Sequence, residues 1–376
     1  MSNQFARFNI PVQVINFDYD RRYAADQAEI TKRRKIITES LAGVQLVELS
    51  ALRLRIPRRI SPLGDKLTKS LNEYLRFVPV GSRFSKSLRN SEVVYFVYCQ
   101  SNPIYLLVTL LMCTLSGKRP LVAGLHATPR FKPHESALLR VFVKIGVLKK
   151  VHTINAGQNS VVNREIGCDA QYVPNGVDYE RFAVCASRKN ERKEFLVLLA
   201  GAMTLKKGAD LIPAIYDSLM RRKVRFRLVI CTSGGPLLGQ IHDWSVSKPN
   251  VDFRGFVDPT EMPRVYGESA VALLPSRGEA FPLVCIEAQA CGTPVVVSDI
   301  AGFRQCVIDG RTGLFAVTNN PESYAEKVEH VYLLWKEDSD KYRALCKNAN
   351  LNVRDNFQLR QTATQLARML LSVARQ

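Results

Sequence analysis

Leu274–Asp299, LPSRGEAFPLVCIEAQACGTPVVVSD, reads in succession as the end of a strand, a loop, a helix and a second strand. The first strand ends at Pro275, and Ser276–Phe281 form the loop. Pro282 fits the first turn of the helix Leu283–Ala290, where its missing N–H costs nothing. Gly292 and Pro294 stop that helix and start a buried strand of valines, Pro294–Ser298. The N–H groups of Leu283 and Val284 are then unpaired donors at a helix N-terminus, which suits a diphosphate. Glu279 lies beside them in the loop, and Glu287 about a turn and a half into the helix. Ionised carboxylates accept hydrogen bonds from sugar and ribose hydroxyls. Two surface acids in water are the plain alternative, but a strand–loop–helix at a sheet's carboxyl edge favours ligand contact.

Outward from this segment, strand-length apolar runs alternate with longer helical patterns, the mark of α/β units around parallel sheets. Towards the C-terminus we expect a strand at Thr312–Val317 and helices at Pro321–Lys336, Ser339–Asn350 and Phe357–Arg375. Towards the N-terminus we expect strands at Glu194–Gly201, Arg225–Cys231, Val251–Phe256 and Val271–Pro275, with helices at Gly208–Arg221 and Thr260–Glu268. The first half carries strands at Val12–Asp18, Val44–Leu49, Glu92–Tyr98, Pro120–Leu125, Lys150–Ile154 and Gln171–Val173. Its helices are expected near Asp26–Leu41, Ile104–Leu115 and Glu135–Ile145, besides a basic, mostly helical stretch at Leu52–Leu88. The polar, aperiodic Ala183–Lys193 marks a boundary. The fold class is α/β, with two Rossmann-like domains facing each other across a central cleft: residues 1–188, residues 189–355, and a last helix, 356–376, returning to the first domain.

At 376 residues and 46% hydrophobic content the chain is long enough for two cores, which excludes a mini-protein, a fibre or a disordered tail. Nine cysteines at irregular spacings form no C-x-x-C pair, which fits reduced thiols better than a disulfide framework or a zinc site. No Asp-x-Asp or His/Cys cluster offers metal ligands, so no metal is expected. Met1–Tyr19 has no uninterrupted apolar core of a secretory signal, and Ile104–Leu115 is shorter than the roughly 20 residues a span needs. A cytoplasmic protein, or one peripheral on the inner face of a membrane, is expected.

Charge is placed unevenly. Residues 1–188 hold 28 Lys/Arg against 14 Asp/Glu, while residues 189–376 hold 25 against 20. A basic first half implies an anionic neighbour. Arg53, Arg55, Arg58 and Arg59, interleaved with Leu52, Leu54 and Ile56, would suit an anionic bilayer carrying a lipid-linked acceptor. A solvated helical face is the alternative. The same arginines could contact nucleic-acid phosphates, but no recognised motif or aromatic platform accompanies them, so nucleic acid is not expected. In the second half, Gly201–Asp210 (GAMTLKKGAD) places Lys206 and Lys207 between a strand and a helix, and Cys231–Pro236 (CTSGGP) is a glycine turn at a strand end. Neither completes a dinucleotide or P-loop fingerprint.

Together, Leu274–Asp299, Lys207-Gly208, Arg254-Gly255-Phe256-Val257 and Val173-Pro174-Asn175-Gly176-Val177-Asp178 resemble glycosyltransferase family 4, retaining enzymes of the GT-B fold that use nucleotide-sugar donors. The resemblance is specific across about residues 171–318. Glu279 and Glu287 match the family's E-x7-E motif, which implies that Glu279 holds donor-sugar hydroxyls and Glu287 the ribose. It further implies that Phe281, Pro282, Leu283 and Val284 line the sugar and diphosphate site, that Lys207 binds phosphate, and that Phe256 lies beside the base. His126, ending a strand in Leu125-His126-Ala127, matches the family's histidine facing the donor sugar. The resemblance favours front-face transfer from a UDP or GDP sugar, without a further cofactor, to a glycan or lipid-linked acceptor.

Two positions depart from the family pattern. Its usual Arg after the glycine is Ala202 here, so Lys206, Arg277 or a first-domain arginine would have to supply the second cation. The usual Gly-Gly of the first loop is replaced by the bulky, charged Asp18–Ala25. A sugar- or nucleotide-binding member of the fold without catalysis is therefore the rival expectation. Fold alone does not fix chemistry.

Overall fold

The computed structural model describes residues 92–98, 104–117, 119–126, 131–186 and 194–376, together with the backbone of two strands, Gln13–Phe17 (β1) and Gln45–Leu49 (β2). The helix expected near Asp26–Leu41, the loop Asp18–Ala25 and the basic stretch with Arg53, Arg55, Arg58 and Arg59 lie outside the described residues. The chain divides into two compact units, Met1–Val173 with Ala363–Gln376, and Pro174–Thr362.

In the first unit β1 and β2 pair in parallel. Val94–Tyr98 (β3), Leu121–Leu125 (β4), Leu148–Thr153 (β5) and Ala170–Tyr172 (β6) form a four-stranded parallel sheet in that order. Helices Ile104–Leu115 (α1), Pro133–Lys144 (α2) and Gly157–Ile166 (α3) connect its strands. Side chains alternate across a strand, and β4 uses both faces. Leu121, Ala123 and Leu125 bury with Leu106, Leu110, Leu139 and Val162 on one side. Val122 buries on the other with Leu366, Ala367, Met369 and Val373.

In the second unit six parallel strands run through Leu196–Ala200 (β7), Arg227–Cys231 (β8), Val251–Gly255 (β9), Val271–Leu274 (β10), Val295–Ser298 (β11) and Gly313–Ala316 (β12). Their order is β12-β11-β10-β7-β8-β9. The chain steps outward from β7 through β8 to β9, then restarts beside β7 at β10 and runs the other way. Every residue of β10 and β11 is buried, which explains their unbroken apolar sequence where a one-sided sheet would alternate. Helices Tyr179–Ala183 (α4), Ile212–Arg221 (α5), Leu238–Val246 (α6), Met262–Glu268 (α7), Leu283–Ala290 (α8), Ala301–Arg304 (α9), Pro321–Glu337 (α10), Ser339–Asn356 (α11) and Leu359–Ala374 (α12) complete the described chain. α5 buries Ile212, Ile215, Tyr216 and Leu219, one face at helical spacing.

Several sequence expectations change. Helices α3, α4, α6 and α9 were not read; all are short, and α3 has only Gln158, Val162 and Ile166 buried on its core face. α2 starts at Pro133, two residues early, because Glu135 accepts the N–H of Lys132 at 2.7 Å. The helix expected from Gly208 begins at Ile212, after two short 3₁₀ turns around a left-handed Gly208. α11 continues past Asn350 to Asn356. The division between units falls at Val173/Pro174, not within Ala183–Lys193. Residues beyond Pro174 pack on the second unit: the Phe182 ring lies 6.1 Å from that of Tyr266, and a side chain on Gly267 would strike Cys185.

Candidate functional site

β7 and β10 are the adjacent strands from which the sheet is wound in opposite directions, and in open α/β sheets ligands bind beyond the carboxyl ends of such a pair. A pocket of about 220 Å³ opens there. One wall is Ala200–Met203 with Lys207, from the loop after β7; the other is Pro275, Ser276, Glu279 and Phe281–Val284, from the loop and helix after β10.

Lys207 closes a 3₁₀ turn, Leu205–Lys207, whose N-cap Thr204 accepts the Lys207 N–H through Oγ1 at 3.1 Å. Gly208 follows at φ +70°, and a Cβ there would lie 2.1 Å from the Pro275 carbonyl oxygen. Only glycine permits this approach of the two loops. Lys207 Nζ then meets Glu279 Oε1 at 2.6 Å, with the lysine side chain 37% and the glutamate side chain 10% exposed. Gly302, in α9, supports Glu279 from beneath: a Cβ on it would stand 2.4 Å from the Glu279 carbonyl oxygen and 2.8 Å from its Cβ.

Pro282 is the N-cap of α8, whose bounds Leu283–Ala290 are those expected, and no side chain caps the helix. The Pro282 carbonyl takes the N–H groups of Cys285 and Ile286. Leu283 and Val284, whose amides precede these, both line the pocket. Oriented amides of this kind favour an anion.

Arg277 has a different role from the one considered for it. Its guanidinium grips Asp210 with two bonds of 2.6 and 2.7 Å, donates to Asn319 Oδ1 at 2.6 Å and also to the Leu205 carbonyl. Its backbone N–H donates to the Lys206 carbonyl at 2.8 Å. These bonds hold the Asp210 carboxyl below its ordinary range. Arg277 therefore ties the two pocket loops together and does not itself line the pocket. Arg277→Ala should cost about 2 kcal/mol of stability, from the loss of partly exposed charge-assisted hydrogen bonds. Urea unfolding measures it, with exposed Lys206→Ala expected near zero.

Glu287 and Phe256 do not join the pocket lining. Glu287 accepts a 2.8 Å hydrogen bond from Tyr266, whose side chain is buried in α7. Burial raises the Glu287 pKa above the ordinary carboxylate range, against the pull of that bond and of Arg181. Phe256 follows β9, an edge strand, and is 68% exposed.

His126 lies in the first unit, directly after β4. Its partners were missed in the sequence: Tyr95 Oη is 3.1 Å from His126 Nε2 and 2.6 Å from His152 Nδ1, and His152 Nε2 is 2.8 Å from the Val173 carbonyl. Burial, and for His126 the neighbouring ring, disfavours the charged forms; the pKa of His126 falls to about 4, and that of His152 falls below 6.5. In the unfolded chain both titrate near 6.5, so below that pH the unfolded state binds the extra protons. Stability should be level above pH 6.5 and fall as pH drops towards 4. Thermal melts across pH 4–8 test this, and His126→Gln should flatten the slope.

Among the described residues no cluster of three or more His, Cys, Asp or Glu could hold a metal, and no helix is long and apolar enough to cross a membrane.

The sheet order and the strand-end pocket define the class: two Rossmann-like α/β units of the GT-B type. Residues 185–352, somewhat less than half of the chain, match the family model described as Glycosyl transferases group 1. The chain is 32% identical over 174 residues to D-inositol 3-phosphate glycosyltransferase of Frankia alni, covering 42% of each chain. It is also similar to an uncharacterized 41.2 kDa protein of the cps region of Klebsiella pneumoniae, with 27% identity over 170 residues and coverage of 45% and 46%. The chain thus spans less than half the length of these relatives. Among solved structures, a glycosyltransferase from Rickettsia africae matches with TM-score 0.67 at 15% identity, over 96% of this chain and 97% of its own. Anabaena HepE in complex with UDP and glucose matches with TM-score 0.64 at 18% identity, over 90% and 89%.

Proposed function

We propose that the protein is a retaining glycosyltransferase that moves a sugar from a nucleotide-diphosphate sugar of the UDP or GDP type to a hydroxyl of a glycan or lipid-linked acceptor. The observation that carries this reading is the Lys207–Glu279 pair set beside the α8 N-terminus in one strand-end pocket. An ammonium has three donors, so Lys207 can keep Glu279 and still bind a phosphate oxygen. Together with the Leu283 and Val284 amides it would stabilise the departing nucleoside diphosphate, the step that limits cleavage of an already activated bond. Glu279 would accept sugar hydroxyls, and Glu287 would act on the ribose or through Tyr266. His126 would face the transferred sugar. The acceptor hydroxyl would attack from the leaving-group face, its proton passing to a donor phosphate oxygen, without a metal. A cytoplasmic site with peripheral attachment through Arg53, Arg55, Arg58 and Arg59 belongs to the same proposal, and loss of binding to anionic vesicles at low salt would remove it.

Ala202 favours a second reading, a nucleotide-sugar-binding member of the fold without turnover. A thermal-shift panel of nucleotide sugars followed by a hydrolysis and transfer assay separates the two. A ligand bound only by the folded state raises the melting temperature. Transfer with retained anomeric configuration supports the proposal; a melting shift without turnover supports the rival; no shift from any nucleotide sugar refutes both.

A further inference from the structure

Tyr95, Val122, Gly124 and His152 share one face of the first unit's sheet, because the strand register pairs Tyr95 with Val122 and His152 with Gly124. By the same alternation His126 continues that face beyond Gly124. The tyrosine ring crosses over Gly124, where a Cβ would stand 2.1 Å from Tyr95 Oη. Its hydroxyl is thereby brought between two imidazoles, at 2.6 Å from His152 Nδ1 and 3.1 Å from His126 Nε2.

The proton positions follow from one fixed end. The Val173 carbonyl, 2.8 Å from His152 Nε2, can only accept, so Nε2 carries a proton. His152 is fully buried, and a neutral imidazole has a single N–H. Its Nδ1 is therefore an acceptor, and the Tyr95 proton is directed to it. The tyrosine oxygen then offers only lone pairs to His126, whose Nε2 must be the donor. Burial and the neighbouring ring keep His126 neutral at pH 7, its pKa lowered to about 4, so its Nδ1 retains a lone pair.

We propose that Tyr95 and His152, with Gly124 as the notch that admits the hydroxyl, are positioning residues that fix His126 in the Nε2–H tautomer, so that its Nδ1 accepts a hydrogen bond from a hydroxyl of the bound sugar. The tautomer stands on these hydrogen bonds together with the neutral state of the two rings; the contact with sugar rests on the function proposed above. A neutral acceptor at this position selects a sugar that presents a hydroxyl there and disfavours one presenting a carboxylate.

Selective ¹⁵N labelling of histidine and long-range ¹H–¹⁵N correlation at pH 7 read the tautomers directly. His126→Gln and His152→Gln assign two of the five histidines. Both rings are expected as single Nε2–H tautomers. In Tyr95→Phe, and in Gly124→Ala where the hydroxyl is kept but displaced, His126 is expected to change to a mixed pattern, with His242 and His330 unchanged. A wild-type His126 protonated on Nδ1, or on both nitrogens, overturns the proposal, as does an unaltered His126 pattern in folded Tyr95→Phe. If neither variant folds, the wild-type spectrum decides. The sugar contact is read with UDP-glucose or GDP-mannose, whichever shifts melting more. Tyr95→Phe should weaken its binding roughly 5–10-fold, the loss of one hydrogen bond, while leaving the free nucleoside diphosphate unaffected. Unchanged affinity overturns the sugar contact. Binding of neither of these nor of any other nucleotide sugar of the panel refutes the proposed function and leaves the tautomer result standing.

Discussion

Lys207→Ala should lower sugar transfer about 100- to 1,000-fold, the usual consequence of removing one preorganised group that meets developing charge. The ammonium is the pocket's only lysine contribution among the described lining residues, and Arg277 is already engaged with Asp210 and Asn319. Among the described lining residues no second cation compensates. The substitution also leaves Glu279, with its side chain 10% exposed, without the partner now at 2.6 Å. Free nucleoside diphosphate should then bind more weakly, because the remaining charge repels phosphate. Glu279→Ala should lower transfer as well, yet keep or strengthen binding of the free diphosphate, since the lysine is released towards it. These opposite signs, read by calorimetry beside a transfer assay, separate the two roles. Wild-type rates in both variants would sink the assignment of the pocket. The double variant should cost less than the two single effects combined, because the residues act as one unit.

Gly208→Ala is expected to destabilise the protein by about 3 kcal/mol, combining left-handed backbone strain with a close contact. At φ +70° the new Cβ would stand 2.1 Å from the oxygen and 2.9 Å from the carbon of the Pro275 carbonyl. Both atoms are backbone, so no side chain can rotate away, and the loop leading to Glu279 must move. For a unit of this size the change corresponds to a fall in melting temperature of roughly 6–12 °C. Gly239, near the start of α6, has no atom within 4 Å of its built Cβ, and Gly239→Ala should be neutral or slightly stabilising. Calorimetric melting of both variants makes the comparison. An unaltered melting temperature in Gly208→Ala would show that the two loops do not depend on this approach.

The sequence was most legible where apolar runs meet proline and glycine. Both ends of α8 agree with the reading, because Pro282 opens it and Gly292 with Pro294 closes it. β10 and β11 differ by a single residue at one end, since a fully buried strand declares itself by continuous valine, alanine and leucine. What was hidden depends on partners far apart in the chain. Lys207 and Glu279 were both singled out, but their direct bond spans 72 positions. The sequence displayed Arg277 as a spare charge; only the fold brings Asp210 and Asn319 to it. Gly302 is one glycine among 21 until Glu279 is seen resting on it. His126 was recognisable as a strand-end histidine, whereas Tyr95 and His152 sit in ordinary strand patterns that carry no mark of a hydroxyl passing between two rings.

The interrupted first unit has a consequence for synthesis. Val122 and Tyr95 are covered by Leu366, Ala367, Met369 and Val373, which lie after the whole of Pro174–Thr362. At about 5–20 residues per second, a ribosome needs on the order of 10–40 s to make that intervening stretch. During this interval the sheet of the nascent chain presents an uncovered apolar face, and its closure waits for the last helix to leave the exit tunnel. A chaperone acting on the nascent chain would have a defined surface, Val122 with Tyr95, to shield until Leu366–Val373 is made.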